Sequence, residues 1–305
     1  MRTIDLSKSW AQWLTLFLLS SIWGSSFILM KRGMVAFTPE QVAALRLFSA
    51  AVFLVAIGFR HFSRWRKANF FPILVVGLIG NGIPAFLFTR AETVLDTSIV
   101  GILNALVPLF TLILGAIGFG VQFTRVHFLG VMLGLSGAIF LLYPSLNEAN
   151  LNHLVYASLP IIATICYATS VNTIKGFLQE EKSLTITTLA MSQVGLFSGI
   201  YLFSTDFTTR VSGPDGAASL GYVLLLGVVG TAVAVLIFNT LIKHTTALFA
   251  SSVTYLIPLV AVFWGFLDGE TIGLHHLGGI GLILAGVYLT HLQQRKPKLK
   301  VQAAA

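Results

Sequence analysis

The chain has 305 residues, of which 56% are hydrophobic and only 10% charged, with a formal net charge of +8. A soluble globular domain carries about 25% charged residues, and surface-to-volume scaling leaves no way to hide this much apolar surface from water. The composition excludes a water-soluble fold with its own soluble catalytic domain and makes the bilayer the natural solvent.

A spanning helix needs about 20 predominantly apolar residues. Ten such segments follow one another, at 11–31, 41–60, 70–90, 97–117, 124–143, 153–175, 184–204, 219–242, 248–267 and 273–292, and predict an all-α membrane protein of ten transmembrane helices. In the first segment the apolar stretch from Trp13 to Met30 is longer than the hydrophobic core of a signal peptide and no A-x-A site follows it, so it reads as a retained span. Within it Trp23 and Ser26 are three apart and share a face. The second segment carries Arg46, the only charged residue well inside a span. Two dispositions are open to it: snorkelling to the interface, or pairing with Glu92 or another outer carboxylate and helping to gate. In the third, Asn81 and Pro84 share a face, and Gly80 and Gly82 thin the wall. In the fourth, Asn104 and Pro108 are four apart.

The fifth segment holds Gly130 and Gly134 in a G-x-x-x-G spacing, and the seventh repeats it with Gly195 and Gly199; close helix packing accounts for both. The sixth places Tyr167 and Ser170 as the first places Trp23 and Ser26, and holds the single cysteine, Cys166, so no intramolecular disulfide can form. Thr231 stands in the eighth, and Thr254 with Pro258 in the ninth. Lys31, Arg90, Glu92, Lys175, Asp268 and Glu270 fall near segment ends, where solvated interface positions are expected. His275 and His276 open the tenth segment, but adjacent side chains on a helix point about 100° apart and do not converge on a metal. No metal site or cofactor is expected.

An internal repeat runs through these segments. Residues 77–115 align without a gap on 227–265, so that Gly77 meets Gly227, Gly80 meets Gly230, Phe88 meets Phe238 and Pro108 meets Pro258. Aligned glycines and prolines are informative because each carries a specific backbone cost inside a helix. After one deletion His127 meets His276, and at the start of each half Trp23-Gly24-Ser25-Ser26 faces Tyr167-Ala168-Thr169-Ser170. The halves are then 11–143 and 153–292, followed by a basic tail at 293–305. Five spans each is an odd number, so two homologous halves must lie in opposite orientations. Inverted repeats are the architecture of secondary transporters, with the substrate near the midplane where the halves meet.

Basic residues set the orientation. With the N-terminus inside, only Lys31, Arg32, Arg90 and Arg210 fall outside, and all other lysines and arginines except Arg46 fall inside, as the positive-inside rule requires. Both termini are then cytoplasmic. The basic clusters at Arg60–Lys67 and Arg295–Lys300 suit anionic lipid headgroups, so no nucleic-acid partner is needed.

Four stretches carry a resemblance to a known family: Trp-Gly-Ser-Ser-Phe at 23–27, Thr-Pro-Glu-Gln-Val-Ala-Ala-Leu-Arg at 38–46, the helices with Pro108 and Pro258, and the run from Gly269-Glu270 to Gly279. In order, on ten spans, they resemble the ten-helix EamA-like type of the drug/metabolite transporter superfamily over residues 12–292. The first half departs from the pattern, since Gly120-Val121-Gln122 has no glutamate where the second has Glu270. The resemblance implies export or exchange of small metabolites, such as amino acids or amphiphilic organic compounds, across a bacterial cytoplasmic membrane.

Polar groups inside a membrane are costly and mark functional sites. A central cavity among the first, third, fourth, sixth, eighth and ninth helices is expected. Its substrate contacts are Trp23, Ser26, Asn81 and Asn104 from one half, and Tyr167, Ser170, Thr231 and Thr254 from the other. Pro84, Pro108 and Pro258, with Arg46, Glu92 and Glu270, are the candidates for hinges and gates. Trp, Tyr, Asn and hydroxyls suit an amphiphilic or zwitterionic solute. No carboxylate stands at midspan, which favours a facilitator or exchanger, and no G-x-x-x-x-G-K-[ST] loop is present for ATP. H-E-x-x-H and G-x-S-x-G are also absent, so no enzyme is expected. A passive channel-like facilitator and a multidrug exporter remain the alternatives, and a monomer suffices for the pathway.

Overall fold

The computed structural model describes residues 6–64, 66–95, 97–122, 124–142, 151–267 and 274–292. All regular structure among them is helical. This follows from the solvent: in hydrocarbon every backbone N–H and C=O must be satisfied within the chain, and a helix does so locally.

Helix α1 (Ser9–Gly33) is followed by α2 (Pro39–Gly58). A capping box opens α2: Thr38 accepts from the Gln41 amide N–H, Gln41 accepts from the Thr38 N–H, and Pro39 takes a position where no N–H is needed. The third expected span is not one continuous α-helix. It consists of α3 (Phe70–Leu74), a π-helical stretch π1 (Val75–Gly82) and α4 (Ile83–Ala91). The fourth divides into α5 (Thr97–Asn104) and α6 (Val107–Gly118), with Pro108 in the first turn of α6. Then come α7 (Arg125–Leu142), α8 (Leu151–Phe177), α9 (Ser183–Phe203) and the short α10 (Phe207–Val211). The eighth span repeats the third, with α11 (Gly216–Leu225), a second π stretch π2 (Leu226–Val233) and α12 (Ala234–His244). The chain closes with α13 (Ala247–Ser251), α14 (Val253–Leu267) and α15 (Leu274–Leu292). Pro108 and Pro258 align in sequence but differ in place, since Pro258 lies inside α14. Glu270 and Asp268 lie outside the described residues.

Among the described residues, seven helical stretches are long and apolar enough to cross a membrane: 9–33, 39–63, 67–91, 100–118, 155–177, 183–203 and 216–244. Three further apolar helices are shorter, at 125–140, 247–260 and 278–292. The outward surface is apolar, with Phe71, Ile117, Leu196, Phe197 and Ile200 all exposed. Polar side chains turn inward instead: Gln41, Asn104, Asn172, Thr187, Asn239 and Ser251 are buried.

The packing pairs corresponding elements of the two halves. Helix α1 packs on α14, and α8 on α6; α1 meets α12, and α8 meets α4. Helix α2 packs along α9, and α7 along α15. With lipid as apolar as leucine, helix association in a bilayer depends on close van der Waals contact, and glycines supply it at α7–α15. A Cβ on Gly137 would meet the Ile283 nitrogen at 2.7 Å and the Gly279 oxygen at 2.8 Å, and one on Gly286 would meet the Gly130 oxygen at 2.6 Å. The two backbones touch. Nearby, Tyr255 lies over Gly134 and donates its hydroxyl to the Val131 carbonyl at 3.0 Å.

Gly286→Val forces this crossing apart and is expected to destabilise the protein by about 1–3 kcal/mol, read as a lower unfolding temperature in detergent. Gly221→Ala is its control, because nothing lies within 4 Å of the added methyl; helix propensity gives it up to about 1 kcal/mol of stabilisation.

Candidate functional site

The two π stretches have about one extra residue per turn, with i→i+5 backbone bonds, and polar side chains also donate to their carbonyls. Asn81 Nδ2 donates to the Val76 carbonyl at 2.8 Å, and Thr231 Oγ1 to the Leu226 carbonyl at 3.3 Å. Each donor reaches five residues back, and the two positions are those that align in the repeat. A third donor comes from α1, where the Trp23 indole N–H bonds to the Gly230 carbonyl at 2.9 Å. π stretches inside helices are frequent at functional sites.

Beside π1 and the start of α12 lies a cavity of about 120 Å³. Trp23 and Ser26 of α1 line it, with Asn81 of π1 and Asn104 of α5. From the other half come Tyr167 and Ser170 of α8 and Thr254 of α14. Thr231 enters through its bond to Arg46. The aromatic walls pair across the halves: the Trp23 ring stands edge-on to Phe238 at 5.2 Å between centroids, and Tyr167 stacks on Phe88 at 5.8 Å. A Cβ on Gly230 would meet Ser26 Oγ at 3.1 Å, and one on Gly80 would collide with Ser170 Oγ. The serines therefore press against the glycines of the opposite half, and glycine is required at 80 because the hydroxyl already fills the space of a methyl.

Arg46 takes neither of the two dispositions open to it in sequence. It lines the cavity, donating from Nε to Thr231 Oγ1 at 2.6 Å, while Nη1 lies 3.9 Å from the Met30 sulfur. Among the described residues no carboxylate lies within ion-pair distance of it; the ion pairs there are Arg66–Glu181, Arg90–Glu40 and Arg210–Asp206. Glu92 also differs from expectation. It follows the last residue of α4 and is buried, 7% exposed, and neither carboxylate oxygen has a hydrogen-bond partner among the described residues. The local reason is that its own amide bonds back to the Phe88 carbonyl, which continues the helical turn inward. Lys175 is not simply solvated, since its Nζ donates to the carbonyls of Ile242 and Lys243.

Asn104 is buried with its Oδ1 unpaired, whereas its counterpart Thr254 donates to the Ser251 carbonyl at 3.0 Å. Pro84, Pro108 and Pro258 are buried beside this lining. Sequence reasoning missed Asn239 and Ser251, which also face the cavity. Asn239 was detectable as an amide inside a span; it donates to Thr187 Oγ1 at 2.9 Å. Phe88 and Phe238 aligned in the repeat, but only the fold sets them against Tyr167 and Trp23.

Polar contacts join the halves at both ends of the bundle. At one end Gln41 Nε2 donates to Thr205 Oγ1 and Asp206 Oδ1, and Arg210 reaches the Ala36 carbonyl. At the other, Glu181 of the second half accepts from Asn69 and pairs with Arg66 of the first.

The sequence matches the model described as "EamA-like transporter family" twice, over residues 11–143 and 154–292. It is 24% identical to an uncharacterized transporter of Archaeoglobus fulgidus, across 91% of this chain and 98% of that one. It is 27% identical to the uncharacterized inner membrane transporter YedA of Escherichia coli K12, across 91% and 89%. A probable amino-acid metabolite efflux pump of Salmonella typhimurium is 24% identical across 88% and 90%. A solved crystal structure superposes with a TM-score of 0.72 at 14% identity, covering 95% of this chain and all of the other, which supports the fold alone.

Burial pushes the Glu92 carboxyl up to about 8, against the opposing pull of Lys31 and Arg46. A glutamate in an unfolded chain titrates near about 4.3, so the folded state holds the proton more tightly. Its contribution to stability is complete below that value and is lost as pH rises through about 8. The unfolding temperature in detergent is expected to fall between about pH 5 and about pH 9, and Glu92→Gln to remove most of that slope. An unchanged slope in the variant would assign the titration to another group.

Proposed function

This chain belongs to the EamA-like transporter family, and on that premise we propose that it is a secondary transporter that exports or exchanges small metabolites by alternating access of two inverted halves. The observation that carries the proposal is the cross-paired cavity wall. Trp23 of the first half meets Phe238 of the second, and Tyr167 of the second meets Phe88 of the first. Ser26 faces Gly230 as Ser170 faces Gly80. Contacts that map onto themselves when the halves are exchanged are what an inverted repeat requires. Exchanging the conformations of the halves would convert a cavity open to one side into one open to the other. The polar contacts at the two ends, Gln41 with Asp206 and Asn69 with Glu181, would then break in turn.

The cargo is small. The cavity of about 120 Å³ is below the roughly 300–1,000 Å³ of drug-sized sites, so this conformation suits a solute of a few heavy atoms and larger ones need it to open. Aromatic faces take apolar parts, and Asn104 with the hydroxyls orients polar ones. Amino acids fit that description, and one relative is named as a probable amino-acid metabolite efflux pump. The inner membrane named for YedA is the proposed location, with both termini cytoplasmic.

Counterflow in proteoliposomes loaded with single amino acids and small amphiphiles tests this reading. Saturable exchange is expected, reduced at least about tenfold by Trp23→Ala and by Asn104→Ala while a lipid-facing Leu196→Ala retains it. Flux that grows linearly with concentration, with no counterflow, would mean a channel. An imposed pH gradient that changes accumulation as well as rate would mark proton coupling and remove the facilitator reading.

A further inference from the structure

We propose that Arg46 selects the cargo by charge: a carboxylate of the transported solute docks on its guanidinium inside the central cavity. The inference rests on the transporter reading above, since it takes the cavity as the cargo site.

Arg46 is held from one side only. Its Nε is fixed by Thr231, and Thr231 is itself held by the Leu226 carbonyl of π2. The two terminal nitrogens make no hydrogen bond to a protein oxygen among the described residues; the nearest contact of Nη1 is the Met30 sulfur at 3.9 Å, a weak acceptor. A guanidinium is a planar fork matched to a carboxylate through two parallel N–H donors. Here the Thr231 bond orients the fork and leaves its terminal edge with only the weak Met30 sulfur contact among the described residues.

The surroundings supply no substitute. Among the described residues, the cavity lining contains no Asp or Glu. Glu92 acts on Arg46 electrostatically but stands outside ion-pair distance, and Lys31 adds a second positive charge toward the same carboxylate. A charge held inside a protein without a counter-ion is costly, and an anionic ligand arriving from water relieves that cost. The remaining lining fits the rest of such a solute. Asn104 offers its unpaired Oδ1 to a donor, and the Trp23–Phe238 and Tyr167–Phe88 pairs flank an apolar substituent.

The test is binding by the purified full-length protein in detergent, followed by thermal stabilisation with titrated ligand, since a ligand that binds only the folded state raises its stability by mass action. The probes are matched pairs of acid and primary amide: leucine and leucinamide, phenylalanine and phenylalaninamide, phenylacetate and phenylacetamide. Inorganic phosphate is the comparison anion. For wild type, at least one acid is expected to bind tenfold or more tightly than its amide. Arg46→Gln brings each pair within about twofold, Arg46→Lys keeps part of the preference, and Thr231→Val reduces it. Trp23→Ala weakens acid and amide together, so the ratio separates charge selection from general damage to the cavity. Equal binding of acid and amide by wild type, preference retained in Arg46→Gln, binding of phosphate alone, or no binding by any acid each overturns the proposal. The transporter reading is judged separately by counterflow: exchange that is indifferent to acid or amide sinks only the role of Arg46, whereas wild type without exchange of any solute sinks the transporter reading.

Discussion

In hydrocarbon, every backbone and side-chain polar group must find its partner inside the protein, and the central site is organised by that requirement. The π stretches at 75–82 and 226–233 displace their carbonyls from α-helical register. Asn81, Thr231 and Trp23 add side-chain donors to carbonyls of these stretches. Each of these side chains is thereby fixed in place, and each contributes to the cavity or to what lines it. Thr231 carries the chain of dependence one step further, because the hydroxyl that bonds Leu226 also accepts from Arg46. Backbone irregularity, polar lining and intramembrane charge are one connected arrangement.

The same requirement explains the inside-out distribution of side chains. Large apolar residues such as Phe197 and Ile117 face outward at no cost in lipid, while threonines and serines turn inward and bond to carbonyls of their own helices, as Thr15, Thr111 and Thr187 do. Most intramembrane hydroxyls are therefore already satisfied. This makes the exceptions informative: Asn104 Oδ1 and the two Glu92 oxygens have no hydrogen-bond partner among the described residues, and Arg46 Nη1 reaches only the weakly accepting Met30 sulfur.

Glycine sets how closely the elements approach. At α7–α15 it lets backbones touch, and at Gly80 it admits the Ser170 hydroxyl. The first contact holds the bundle together, and the second brings α8 close enough to π1 for Tyr167 to reach Phe88.

Hydropathy alone determined that the chain is helical and built for a bilayer, because a run of about 20 apolar residues has few other stable outcomes. The aligned glycines, prolines and aromatics made the repeat legible, and with it the polar residues that gather at the centre, since intramembrane Asn, Trp and Tyr are too costly to be incidental. Three things were decided only by tertiary structure. The π stretches were hidden because a widened turn has no residue signature distinct from an apolar helix. The dispositions of Arg46 and Glu92 were hidden because the choice between interface and interior depends on what packs beside them: Thr231, which accepts from Arg46, lies 185 residues away in sequence. The different placing of Pro108 and Pro258 was hidden as well, because a proline restricts its own helix but leaves to the neighbouring elements whether that helix begins there or continues through it.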